Sequence, residues 1–231
     1  MSHKVFALVP AYNEEPRIEK ALKKIKKYVD EIVVVDDGSK DQTINVVKKM
    51  GVKVVKHKVN KGLGGAIKTG YKEFMKSDCD IAVIIHGDGQ HDPAEIPLMI
   101  KPLVEDKADY VLGSRFKGDQ KSMTFGRSVG NKMISFLWRM ATGYDLTDFL
   151  TGYHAITKAA LKKLEPEKWS NRFLVETDMI SDLVSKGMRI EEIPSNCIMT
   201  DRPSYLKRQV ALSYSWCAVK FMFKKNLTNK F

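Results

Sequence analysis

His86, Asp88 and Gln90 alternate along one extended stretch, so an imidazole, a carboxylate and an amide face the same side of the chain. That donor set suits Mn2+ or a hydrated Mg2+. A cation held there would screen a diphosphate and stabilise negative charge developing on it as it leaves. Taken alone, a histidine at the end of a strand is more often a hydrogen-bonded core residue than a ligand. Polar groups recur at comparable places, however. Pro10-Ala11-Tyr12-Asn13-Glu14, Asp36-Asp37-Gly38-Ser39 and Gly113-Ser114-Arg115-Phe116 each close a short apolar run. Two common phosphate-binding sequences are missing: no GxGxxG follows the first apolar run, and there is no GxxxxGK[ST]. Gly62-Leu63-Gly64-Gly65 stands after the third run, in the wrong place for a dinucleotide loop.

The elements that must position these groups follow from periodicity. Lys4–Pro10, Glu31–Asp36, Val52–His57, Ile81–Ile85 and Tyr110–Gly113 read as buried strands. Between them, Ile18, Leu22, Ile25 and Val29 lie at helical spacing, Thr43–Met50 forms a helix capped by Ser39 or Asp41, and Gly65–Met75 forms another. Pro93 opens the next helix. Such alternation predicts an α/β fold with a mostly parallel sheet, and ligands in open sheets of this kind bind beyond the carboxyl ends of the strands. After Arg115 the rhythm changes: a polar loop, a helix over Gly126–Ala141, an irregular stretch over Gly143–Tyr153, helices near Ala159–Leu164 and Leu174–Lys186, and a strand near Arg189–Ile193. The expected division is a nucleotide-binding half, residues 1–115, and an acceptor-binding half, residues 116–231, in one compact domain.

With 231 residues, 43% of them hydrophobic, the chain can bury one large core, which excludes global disorder. No run reaches the roughly 18–20 apolar residues of a spanning helix, and the start lacks a signal-peptide pattern. Cys79, Cys197 and Cys217 are odd in number and contain no CxxC, which fits a reducing, cytosolic setting and no zinc site. The net charge of +11 calls for an anionic partner. Nucleic acid is set aside, because no basic-aromatic module is recognisable and acids at the strand ends would repel a phosphate backbone. After Asp201 the chain has no acid, and Leu212, Trp216, Val219 and Phe223 share a helical face. That face either packs on the domain or anchors it peripherally on the cytoplasmic side of a membrane.

Six segments resemble the family 2 glycosyltransferases: Val9–Glu14, Val35–Thr43, Asn60–Ala66, Gly87–Pro93, Val111–Phe116 and Asp148–Tyr153. The last two are similar to the branch of dolichyl-phosphate mannose and polyprenyl-phosphate glucose synthases. The resemblance implies a GT-A fold, a GDP- or UDP-hexose donor, a divalent metal (Mn2+ or Mg2+) and a polyprenyl or dolichyl phosphate acceptor. By position it places Pro10, Tyr12 and Glu14 at the donor nucleotide, Val35 and Asp37 at base and ribose, and His86, Gly87 and Asp88 along the donor. Asp88 and Gln90 match metal ligands. His86 stands where the family usually has the first Asp of its D-x-D motif, and either ligates the metal or touches the donor phosphates. Arg115 and Arg127 match arginines near the phosphates, Arg202 and Lys207 match later basic positions, and Asp148 matches an acid that orients the acceptor or assists proton transfer. Thr151-Gly152-Tyr153-His154 replaces a Ser-Gly-Phe-Arg found in many relatives.

An anionic acceptor attacks the anomeric carbon directly, without a strong general base, and inverts it. A hydroxyl acceptor is the alternative, as is a non-catalytic nucleotide-sugar-binding protein. Glu176 and Asp178, two apart on a helix, supply a base under the hydroxyl alternative, but capping or a surface ion pair is their more ordinary reading.

Overall fold

The computed structural model describes residues 3–118, 125–197 and 213–222, with Phe125 and Arg127 described by backbone alone. Arg202 and Lys207 therefore lie outside the described residues. Seven strands form one sheet in the order β3-β2-β1-β4-β6-β5-β7. They are β1 (Val5–Ala11), β2 (Glu31–Asp36), β3 (Lys53–Lys56), β4 (Ile81–Ile84), β5 (Tyr110–Ser114), β6 (His154–Thr157) and β7 (Ile190–Pro194). β6 runs antiparallel to both β4 and β5, and every other pairing is parallel. β6 is a strand that the irregular reading of Gly143–Tyr153 did not extend to. It is only four residues long, and its first residue, His154, is polar yet fully buried.

The alternation of side chains along β1 explains the layering. Phe6 and Leu8 point to one face, Val5, Ala7, Val9 and Ala11 to the other, and both faces are covered. One face carries α1 (Glu15–Ile25), α2 (Thr43–Lys49) and α4 (Ile96–Val104), through Ile18, Leu22, Val47, Ile96 and Met99. The opposite face carries α3 (Leu63–Lys76), α5 (Phe125–Thr142), α6 (Lys158–Leu161), α7 (Val175–Ser185) and the helix of residues 213–222. Pro93 opens a single 3-10 turn, Pro93–Glu95, which leads into α4, and the Asp92 side chain accepts from Ala94 N–H. At α2 it is Asp41, not Ser39, that accepts from Thr43 N–H, at 3.0 Å; the Ser39 hydroxyl accepts from Asn13 N–H instead.

β5 stands between β6 and β7 although it precedes both in sequence. In the last helix the face of Trp216 is not the one that packs on the core. Tyr214 and Ala218 point inward, Cys217 and Phe221 pack beside them, and Trp216 is 60% exposed. Leu212 and Phe223 lie outside the described residues. Among the described residues no helix is long and apolar enough to cross a membrane.

Candidate active site

Backbone pairing brings the strand ends together. Ala11 lies beside Asp36, Asp37 N–H donates to the Ala11 carbonyl at 2.9 Å, and Gly87 N–H donates to the Pro10 carbonyl at 3.3 Å. The loops leaving β1, β2, β4 and β5 therefore converge on one edge, where they border a cleft of about 490 Å³. Pro10, Tyr12, Glu14, Asp37 and Asn60 line its first side, and His86, Asp88, Gln90 and His91 its floor. Arg115, Leu150, Arg172, Phe173, Glu176 and Tyr214 close the far side.

On the first side, Asp37 does more holding than reaching. Its Oδ1 accepts from Lys61 N–H and contacts His57 Nδ1 at 2.7 Å, while Oδ2 accepts from Gly62 N–H at 2.8 Å. The carboxylate thus pins the turn that starts α3. At that turn Gly62 has φ +91°, and a Cβ on it would come 2.5 Å from the Asn171 carbonyl oxygen. A Cβ on Gly64 would come 2.1 Å from the Ser170 carbonyl oxygen. Only glycine lets α3 approach the 170–172 loop this closely, and that approach delivers Arg172 and Phe173 to the cleft. Val35, expected at the donor base, is fully buried in the core beneath α3 and is not among the lining residues. Its alternation on β2 turns the side chain inward. Gly87 is likewise not among the lining residues; a Cβ there would strike Ile18 Cδ1 at 2.5 Å.

On the floor, Asp88 is buried, and its Oδ1 accepts from Gln90 N–H at 3.0 Å, which tightens the turn between them. Asp88, with Gln90 beside it, offers the oxygens a divalent ion takes, and Mg2+ sites are often completed by one or two carboxylates plus substrate phosphates. The donor chemistry of these residues fits such an ion. The His86 ring is turned against Gly152, where an added Cβ would lie 2.8 Å from Nε2, so that nitrogen faces the loop after Asp148. His91 stacks on Tyr153 with ring centroids 4.8 Å apart. Burial, reinforced by His86, pulls its pKa well below the ordinary histidine value.

On the far side, Arg115 and Asp148 form one unit. Asp148 Oδ2 accepts from Arg115 Nε at 2.6 Å, and Oδ1 accepts from a terminal guanidinium nitrogen at 2.8 Å. Arg115 lines the cleft; Asp148, fully buried, lies behind it and is not among the lining residues. Burial works against the Arg115 charge, but Asp148 outweighs it and the guanidinium pKa is raised. Asp148 is held in turn by Glu192, whose Oε1 accepts from Thr147 N–H at 2.9 Å and from Asp148 N–H at 2.8 Å. The Asp148 carboxylate, expected to orient the acceptor or assist proton transfer, is occupied by Arg115 and does not itself line the cleft.

Glu176 is corrected too. It is neither an exposed cap nor a surface ion pair: it lines the cleft at 7% exposure, and its Oε2 has no hydrogen-bond partner among the described residues. Burial pushes its pKa up to about 8. Helical spacing alone carries no signal of that burial. Tyr214 went unrecognised for a related reason, because helical spacing left open which face of its helix packs inward; its hydroxyl donates to the Phe173 carbonyl oxygen. Arg172-Phe173, a cation and an aromatic directly before the helix of Glu176, is the one local signal that could have marked the far wall.

Comparison with known proteins covers this same framework. The family model described as Glycosyl transferase family 2 matches residues 6–165. A UDP-N-acetylglucosamine--dolichyl-phosphate N-acetylglucosaminyltransferase of Methanococcus voltae is 34% identical over 217 residues, covering 85% of this chain and 86% of that one. An undecaprenyl-phosphate mannosyltransferase of Micrococcus luteus is 29% identical over 203 residues, covering 83% of this chain and 82% of that one. Among solved structures, glucosyl-3-phosphoglycerate synthase from Mycobacterium tuberculosis, in complex with Mg2+ and uridine diphosphate, superposes with a TM-score of 0.72 at 21% identity, covering 96% of this chain and 80% of that one. The fold is thus that of the GT-A glycosyltransferases. With strands, loops and cleft all inside the matched region or packed against it, the chain belongs to glycosyl transferase family 2 and is a glycosyltransferase.

Proposed function

We propose that this enzyme transfers a hexose from a GDP- or UDP-sugar to the phosphate of a polyprenyl or dolichyl lipid, with inversion, at the cytoplasmic face of a membrane. Residues 1–115 hold the donor and the remainder meets the acceptor. Asp88 and Gln90 hold a Mn2+ or Mg2+ ion, which when bound offsets the charge of the donor diphosphate. Pro10, Tyr12, Glu14 and Asp37 wall the nucleotide side. Relatives named for dolichyl and undecaprenyl phosphate acceptors support the acceptor class.

One observation carries the reading. The acceptor side of the cleft presents two cations, Arg115 and Arg172, and little negative charge to oppose an incoming anion at neutral pH. Asp148 is locked to Arg115, and Glu176 holds its proton up to about pH 8. Such a wall favours a nucleophile that arrives already ionised, as a phosphate does, with Arg115 gripping it. The test is transfer of labelled sugar into an organic-extractable product from polyprenyl phosphate, with a panel of nucleotide sugars and Mn2+ or Mg2+. Asp88→Ala should abolish transfer. No labelled lipid with any donor would reject the assignment.

A hydroxyl acceptor is the second reading, and Glu176 is what favours it. A cleft-lining carboxyl with a pKa of about 8 and an oxygen without a hydrogen-bond partner among the described residues has the form of a general base working near neutral pH.

A further inference from the structure

The charge of this chain is not spread evenly along its sequence. Residues 120–144 contain four Lys and Arg and no acid, and residues 202–231 contain seven and no acid. The remaining 28 Lys and Arg are balanced by all 28 Asp and Glu, so these two segments carry the whole net charge of +11. One described helix comes from each segment. α5 lies in the first and the 213–222 helix in the second, and the two pack together with Trp138 and Phe221 ring centroids 5.9 Å apart.

The same two helices carry the main apolar exposure. α5 buries Ile134, Trp138 and Ala141 but exposes Val129 (49%), Met133 (61%), Phe136 (57%) and Met140 (65%). Spacings of four, three and four residues align those four into one stripe on the side away from the core. Lys132 is exposed beside it, as is Arg139, which is ion-paired with Asp145, and Lys220 lies 5.5 Å over the ring of Trp216, itself 60% exposed. An apolar stripe bordered by cations on an otherwise neutral protein is the chemistry of a helix lying in a lipid interface. A second copy of the chain fits less well, since pairing this face with itself would bring two positive surfaces together.

We propose that α5 and the 213–222 helix form the face by which the enzyme lies on an anionic membrane leaflet, with Val129, Met133, Phe136 and Met140 buried at the headgroup boundary. This rests on the lipid-phosphate reading above and extends it. The 213–222 helix connects surface to chemistry: Trp216 and Lys220 face out, while Tyr214 on its other side lines the cleft. A lipid phosphate drawn to this face would reach the Arg115 side of the cleft without leaving the interface.

The test uses the full-length chain and vesicles of phosphatidylcholine with or without phosphatidylglycerol. Met133→Ser combined with Phe136→Ser removes two exposed side chains and leaves the core untouched. Wild type should float with the anionic vesicles and release at high salt, while the double variant binds them roughly tenfold or more weakly. Transfer to a short-chain, water-soluble polyprenyl phosphate should be equal in both, whereas transfer to long-chain acceptor in vesicles falls with binding. Equal vesicle binding by the variant, no binding by wild type, or a dimer that the variant dissociates would each overturn the proposal. Vesicle binding that depends on Met133 and Phe136, without transfer to any lipid phosphate, would support the face and reject the acceptor.

Discussion

Arg115 and Asp148 meet at two points, 2.6 and 2.8 Å, with the carboxylate fully withdrawn from water and the guanidinium edge left at the cleft. Breaking one side of such a pair strands a buried charge. Asp148→Asn should therefore cost about 3–5 kcal/mol of stability. Pairing it with Arg115→Met should recover much of that loss while leaving the enzyme inactive. Urea unfolding of the two single variants and the double variant measures this; additive losses would show that the pair is not coupled.

Glu192 acts one step further back. Its side chain is 1% exposed and anchors the backbone of Thr147 and Asp148, with Lys117 Nζ 3.2 Å from Oε2. Glu192→Ala should lower kcat by roughly tenfold, as a misplaced positioning group does, with the donor KM little changed. Glu192→Gln keeps one acceptor oxygen and should fall between. A change confined to donor KM would place Glu192 outside this chain of support.

Glu176→Gln separates the two acceptor readings. With a lipid phosphate the variant should keep kcat within about threefold, whereas a required base would cost roughly 100- to 10,000-fold. Stability offers an independent readout. The folded pKa, about 8, lies above the ordinary carboxyl value, so the wild type is most stable below that ordinary value and loses stability as pH rises toward 8. Glu176→Gln should lack that decline. Thermal melts from acidic to mildly alkaline pH, compared between the two proteins, will show whether the slope belongs to Glu176.

Gly64→Ala sets two effects against each other. Alanine is the better helix residue by about 1 kcal/mol, but here its Cβ would lie 2.1 Å from the Ser170 carbonyl oxygen, a backbone atom that cannot swing aside. The clash should win, destabilising by about 1–3 kcal/mol net, with a fall in Tm of roughly 2–4 °C for each kcal/mol. A melt unchanged or raised would mean the 170–172 loop yields freely.

Most of the sheet is legible from periodicity, because a strand covered on both faces must be a continuous apolar run; Val5–Ala11 and Ile81–Ile84 are of this kind. β6 is hidden because its buried His154 breaks the run. Both ring nitrogens of His154 lack hydrogen-bond partners among the described residues, and burial holds its pKa down to about 3. The junction residues Tyr12, Glu14, Asp37, Asp88, Gln90 and Arg115 are found in the cleft, since strand ends in an open sheet share an edge. What spacing cannot express is which oxygen is already taken. Asp148 and Glu176 look alike in sequence; one is saturated by a guanidinium and the other is left dry and protonated.

The place of β5 between β6 and β7 bears on how the polypeptide matures during synthesis. Every ladder bond of β5 is made to strands that lie later in the chain, so a nascent chain reaching only to Ser114 holds Tyr110–Ser114 with both edges bare. The amino-terminal strands cannot complete the sheet by themselves; closure around β5 waits until Pro194 has left the ribosome. Such late, distant pairing slows assembly and leaves an apolar edge open to stray partners in the interval.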